Sequence, residues 1–215
     1  MNQLTPEQQA LVNSYSREAG VPAGPFMDSA FDRFDTLQAV TEDRSSEKSV
    51  LTIGGGGISH HEPSWYPWLP RAALLRDAYV VNVDPARQSS LDLGQERYHA
   101  ISGARADILT LLERRYHATL DELQKLLPAA STGFSLIIAD RLLGGGSTAP
   151  ELFARMIAEG SHAEALDQNR DRRLLSLRER IKQAASDLLA PGGILAIDGT
   201  ILRAHNQHLY RIEGF

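Results

Sequence analysis

The chain has 215 residues, no cysteine and a net charge of −5, with 42% apolar and 23% charged residues. That length suits one α/β core with an extension, and the missing cysteine excludes disulfides, thiolate nucleophiles and cysteine-based zinc sites. Lys and Arg scattered along an acidic chain disfavour a nucleic-acid partner, and no apolar run approaches the ~20 residues that cross a bilayer, so no membrane partner is expected.

Met1 to Ala10 has neither a basic start nor an apolar centre, so no secretory leader is expected and the expected location is cytoplasmic. Thr5-Pro6-Glu7 reads as an N-cap with proline in the first turn, and Leu11, Val12 and Tyr15 follow at helical spacing as far as Gly20. After the turn Val21 to Pro25, the residues Phe26, Ala30, Phe31, Phe34 and Leu37 share a face of a second helix over 26–40. A polar stretch over 41–48 then sets a boundary near residue 46. Residues 1–45 form a helical extension, and 46–215 the main domain.

Strands are predicted at Ser49–Ile53, Tyr79–Val83, Phe134–Asp140 and Gly193–Asp198. Helices are predicted near Leu69–Asp77, Ser89–Gln95, Ile108–Arg115, Leu120–Leu127, Pro150–Glu159 and His162–Leu189. That alternation predicts an α/β fold with a mostly parallel sheet covered on both faces. A closing hairpin pairs 201–203 with 209–212 around His205-Asn-Gln207.

Two of these strands carry a recognisable ending. Ser49-Val-Leu-Thr-Ile runs into Gly54, Gly55, Gly56 and Gly57, and Tyr79-Val-Val-Asn-Val ends in Asp84. A strand stopping in glycines lets backbone approach a ligand, and an acidic residue ending the next strand can bind a ribose diol, which together point to an adenosine-containing cofactor. For Asp84 the alternative is a cap on the following helix.

Val50 to Gly57, Val83-Asp84-Pro85, Ala106-Asp107-Ile108, Phe134 to Asp140 and Leu188 to Asp198, taken in order, resemble the motifs of class I S-adenosylmethionine-dependent methyltransferases over residues 48–200. The resemblance implies a Rossmann-like, doubly wound and mostly parallel sheet. Over it, residues 1–45 would form an N-terminal helical lid. S-adenosylmethionine would be the cofactor, and O or N of a small-molecule metabolite the methyl acceptor. The implied cofactor contacts are Gly54, Gly55, Gly56, Gly57, Asp84, Pro85, Asp107, Ile108, Asp140 and Arg141. A homodimer is left open. Thr52 stands where the family commonly has an acidic residue, and Ile58 where it has a third glycine. Only 17 residues, 199–215, follow Asp198, too few for the family's helix and final hairpin, so one terminal element is expected to be missing.

Thr52 and Ile58 also motivate an alternative, an enzyme of the same fold that cyclises or cleaves the aminobutyrate chain and releases methylthioadenosine. A non-catalytic methyltransferase-like binding module is the third reading. A nicotinamide dehydrogenase is disfavoured, because Ser59 stands where G-x-G-x-x-G needs its last glycine.

His60 and His61 follow the glycines, where a neutral imidazole can take a proton from an attacking oxygen or nitrogen; solvated loop histidines are the alternative. No metal is expected, since His60, His61 and Glu62 are successive positions that rarely converge on one ion. Trp65, Tyr66 and Trp68 offer either an aromatic wall for a cation or planar ligand or ordinary packing. The same choice holds for Phe26, Phe31 and Phe34.

Overall fold

The chain folds as α/β in a computed structural model that describes residues 4–43, 48–58, 63, 66–84, 86–101, 125, 133–139, 178–197 and 199–212. Its strands are β1 Ser49–Ile53, β2 Tyr79–Val83, β3 Tyr98–Ile101, β4 Phe134–Ala139, β5 Leu189–Ile197, β6 Thr200–His205 and β7 His208–Arg211. They form one mixed sheet in the order β3-β2-β1-β4-β5-β6-β7. The neighbours from β3 to β5 pair in parallel, and the β5–β6 and β6–β7 pairs are antiparallel.

β1 and β2 have the predicted bounds, and β4 ends at Ala139, with Asp140 outside the described residues. β5 begins earlier than expected, at Leu189, but its register jumps from Phe134↔Leu189 to Leu136↔Ile194. Pro191 lacks an N–H and Gly192 takes a left-handed φ of 79°, so the chain bulges there and regular pairing starts at Ile194, close to the predicted start. β3 was not expected. Four residues pairing on one side only leave no apolar alternation to read.

The hairpin turns at Asn206 and Gln207, both left-handed with φ of 49° and 63°, the two-residue geometry that matches strand twist. Among the described residues no helix separates β5, which ends at Ile197, from β6, which starts at Thr200. At the opposite end of the sheet a serine pair stands in for ladder bonds. The Ser49 backbone N–H donates to Ser135 Oγ at 3.1 Å, and Ser135 Oγ donates to the Ser49 carbonyl at 2.9 Å.

Helix α1 spans Pro6–Ala19, and Thr5 and Gln8 form a reciprocal capping box at 3.2 and 3.0 Å. α2 spans Gly24–Ala39, α3 Trp68–Leu75 and α4 Ser90–Leu93, and residues 178–188 are helical. No described helix is long and apolar enough to cross a membrane. Apart from helical Lys125, the helices predicted over 108–115, 120–127 and 150–159 and the first part of 162–189 lie outside the described residues.

Alternation along the strands sorts the core into two layers. Leu51, Val81, Ile137 and Leu195 pack with Ile181, Ala185 and Leu188 on one face. Val50, Val80, Leu136 and Ile194 pack with Phe34 and Leu37 of α2 and Ala73 of α3 on the other. A fully buried side chain of that size stabilises by roughly 1.5–3 kcal/mol, so α2 belongs to the sheet's helical layer. Phe34 and Leu37 of α2 thus share a layer with Val50 of β1 across the boundary expected near residue 46, and no described residue of α1 joins either layer. Val12 and Tyr15 of α1 join a third cluster with Phe31, Trp68 and Ala72.

Candidate functional site

Because β1, β2 and β4 are parallel, their C-terminal ends share one edge of the sheet. The chain leaves β1 toward β2 on one side and β4 toward β5 on the other, and open parallel sheets bind ligands where such connections diverge. The glycine turn emerges from β1 at this point. Gly54 and Gly56 adopt left-handed φ of 71° and 95°, costly for residues with a Cβ. The Gly54 N–H donates to the Val83 carbonyl at 2.8 Å.

Asp84 and the glycines come together as the sequence suggested, and the contacts between them are internal. The carboxylate is 3% exposed. Its Oδ2 accepts from the Gly56 N–H at 2.8 Å and its Oδ1 from the Ala86 N–H at 2.7 Å. One side chain thus fastens the turn after β1 to the turn after β2. The cap on α4 is Ser89, which accepts from the Leu91 N–H at 3.0 Å, so the helix-cap alternative for Asp84 is set aside.

Beneath the turn lies a neutral network. Thr52 Oγ1 donates to Asn82 Oδ1 at 2.8 Å, and Asn82 Nδ2 donates to the Gly56 carbonyl at 3.1 Å and to Gln88 Oε1 at 2.9 Å. Gln88 Nε2 donates to the same Gly56 carbonyl at 3.1 Å and to the Ala86 carbonyl at 3.2 Å. The Tyr98 hydroxyl donates to Gln88 Oε1 at 3.3 Å, and burial pushes that phenol well above its usual range. All four side chains are buried. A Cβ on Gly55 would sit 2.2 Å from Asn82 Oδ1 and 2.7 Å from Thr52 Oγ1, and one on Gly57 would sit 2.7 Å from Ala86 Cβ. The chain's own packing requires both glycines, and the Thr52 hydroxyl faces Asn82.

His60, His61, Pro85, Asp107, Ile108, Asp140, Arg141 and Trp65 lie outside the described residues. Tyr66 and Trp68 take the packing alternative. Trp68 stacks on Phe26 with centroids 5.2 Å apart, lies 4.5 Å from Tyr66, and donates its indole N–H to the Pro63 carbonyl at 2.7 Å. Phe31 packs under the Arg76 guanidinium at 4.3 Å, and Phe34 is in the core. Among the described residues no group of three or more His, Asp or Glu could hold a metal.

The sequence reading missed a second, charged cluster. Arg71 of α3 is fully buried. Its Nε and Nη2 donate to the two oxygens of Asp92 on α4 at 2.8 and 2.7 Å, and Nη2 also donates to Glu18 Oε2 of α1 at 2.9 Å. The guanidinium lies 3.9 Å from the Tyr15 ring centroid and 4.2 Å from that of Tyr66. Glu18 further accepts from the Tyr66 hydroxyl and, at 2.6 Å, from the Ser89 hydroxyl.

Burial raises the Glu18 carboxyl, but hydrogen bonds from Ser89, Tyr66 and Arg71 outweigh it and hold the group below its ordinary value. Burial also opposes the Arg71 charge, and Asp92 overcomes that to hold Arg71 above the usual arginine range. On Asp92 itself burial wins over Arg71 and the carboxyl is raised. Two short parallel bonds favour the ionised pair at neutral pH. Burial pushes the Tyr15 hydroxyl up to about 12. Asn82, inside an apolar strand, and Arg71, inside Trp68-Leu-Pro-Arg-Ala-Ala-Leu-Leu75, were the available signals: a lone polar residue in an apolar run is buried and must find a partner.

Comparison with family models, with curated proteins and with solved structures finds no match.

Proposed function

We propose that the chain binds S-adenosylmethionine at the edge between β1 and β4 and transfers its methyl group to O or N of a small-molecule metabolite, in a Rossmann-like, doubly wound architecture. The observation that carries this is the parallel order β3-β2-β1-β4-β5 with a glycine turn at the point of divergence. When bound, the cofactor supplies an already activated methyl group, so the protein's task is positioning and water exclusion.

The turn fits that task through its backbone. Asn82 and Gln88 draw the Gly56 carbonyl inward, which turns the N–H of Gly57, across the same planar peptide, the opposite way. Asp84 acts in this proposal by holding the turn, and its implied ribose contact is left out. Asp107 and Ile108 at adenine and Asp140 and Arg141 at the reacting end remain as the resemblance implies, with His60 or His61, which follow the glycines, as the base. Thr52, bonded to Asn82, no longer supports the chain-cleaving alternative. The binding-module reading gains from the internal satisfaction of Asp84 and the glycines.

Calorimetric titration with S-adenosylmethionine and S-adenosylhomocysteine, followed by mass spectrometry of the incubated cofactor, tests the proposal. Binding, with S-adenosylhomocysteine formed once an acceptor is supplied, is the expected result. Methylthioadenosine would select the chain-cleaving enzyme, binding without turnover on any metabolite the module, and no binding at millimolar ligand would sink all three.

A further inference from the structure

We propose that α1 is a strap latched by Glu18, opening as one unit about the connection Gly20 to Ala23 while α2 stays in the core. The two neighbouring helices are held in different ways. α2 buries Met27, Ala30, Phe31, Phe34 and Leu37, whereas α1, nearly as long, buries only Val12 and Tyr15. No residue of α1 joins either cluster that packs on the sheet. Apolar burial supplies most of a helix's tertiary stability, so α1 depends on its polar ties.

Those ties concentrate on one side chain. Glu18 accepts from Arg71, Tyr66 and Ser89, and hydrogen bonds to a charged group are roughly twice as strong as neutral ones. At the other end a neutral bond joins Gln8 Nε2 to the Leu75 carbonyl at 2.9 Å. Among the described residues neither the Tyr15 hydroxyl nor Arg71 Nη1 meets an acceptor, so these two buried donors add no hydrogen bond to the seating of α1. The joint is short: left-handed Gly20 ends α1, and α2 starts at Gly24, with Ser16 Oγ accepting from the Ala23 N–H at 2.8 Å and Val12 and Tyr15 packing with Met27, Ala30 and Phe31 across it.

What the latch holds gives the strap its consequence. Tyr66 lies in the segment that follows the glycine turn, and Ser89 in the segment that follows Asp84. Seating α1 ties down Tyr66 and Ser89, and opening it frees the two together. The bearing on ligand access rests on the proposed site, but the opening itself does not.

Hydrogen exchange of the full-length protein, followed by mass spectrometry without ligand, therefore tests the strap even if S-adenosylmethionine never binds. In the wild type the amides of 9–19 are expected to exchange faster than those of β1 and β4. Glu18→Gln is expected to speed exchange in 9–19 by about tenfold, the loss of one hydrogen bond to a charged group, with α2 and the sheet unchanged. Should Glu18→Gln fail to fold, Tyr66→Phe keeps the charge and the ring and removes one bond, with a smaller rise confined to α1. Exchange of α1 in step with the sheet, or equal acceleration of every element in either variant, would overturn the proposal.

Discussion

Two buried polar networks lie side by side in this protein and are built on opposite principles. Thr52, Asn82, Gln88 and Tyr98 are neutral, occupy β1, β2, β3 and the turn after β2, and close on the carbonyl of Gly56. Glu18, Arg71 and Asp92 are ionic and draw together three helices. Dipoles can satisfy one another in a small volume with little desolvation left over, so the neutral network shapes a turn locally. An arginine with no exposed surface is tolerable only while both carboxylates face it. That makes the ionic cluster the joint on which the α1, α3 and α4 arrangement depends.

The largest expected effect breaks the ionic side. Arg71→Leu leaves Asp92 buried without a counter-charge and should cost about 3–5 kcal/mol, read as a lowered urea midpoint. Pairing Arg71→Met with Asp92→Leu should recover much of that loss, since an apolar replacement of the whole pair is often neutral. A double variant as unstable as Arg71→Leu would show that packing around the guanidinium, and not its charge, is what matters.

Next comes the neutral side. Gly55→Ala drives a methyl into Asn82 Oδ1 and Thr52 Oγ1 and should cost about 1–3 kcal/mol through lost hydrogen bonds under the turn. Combined with Asn82→Ala, which removes the obstructing oxygen, the two effects should be clearly less than additive in a double-mutant cycle. Strict additivity would mean that the turn is held by something other than Asn82.

Smaller still is the pH response. Because the folded Glu18 carboxyl lies below its ordinary 4.5, its contribution is present above that value and fades as pH falls through the folded one. Subtracting the unfolding profile of Glu18→Gln from that of the wild type isolates Glu18. The difference should shrink from pH 6 downward through the carboxylate range, and a flat difference would remove charge from the latch. Smallest of all, Asp35→Asn at the partly exposed Arg76–Asp35 bridge, 2.8 Å long, should change stability by less than about 1 kcal/mol. A larger loss would place surface charge on a par with the buried networks.

Legibility in the sequence followed locality. The Thr5 N-cap, the glycines ending β1 and the acidic end of β2 are short-range signals, and each was readable. α2 was readable as a helix from Phe31, Phe34 and Leu37, but its place was not, because an amphipathic face announces burial without naming the surface that covers it. At the candidate site, the meeting of Asp84 with the glycine turn was legible, and the destination of its hydrogen bonds was not. Asn82 and Arg71 were visible as polar residues in apolar runs, yet their partners stand elsewhere in the chain, Gly56 and Glu18 among them.

By itself the sequence determined where β1 and β2 begin, that they end in glycine and aspartate, and that no cysteine chemistry is available. Periodicity and turn chemistry act over a few residues and need no fold to be read. The tertiary structure alone decided the strand order, the inclusion of α2 in the core, the inward turn of the Gly56 carbonyl and the closing of Glu18 and Asp92 around Arg71. Each of these brings together groups distant along the chain, and buried polar atoms take whichever partner the packing of apolar faces carries to them.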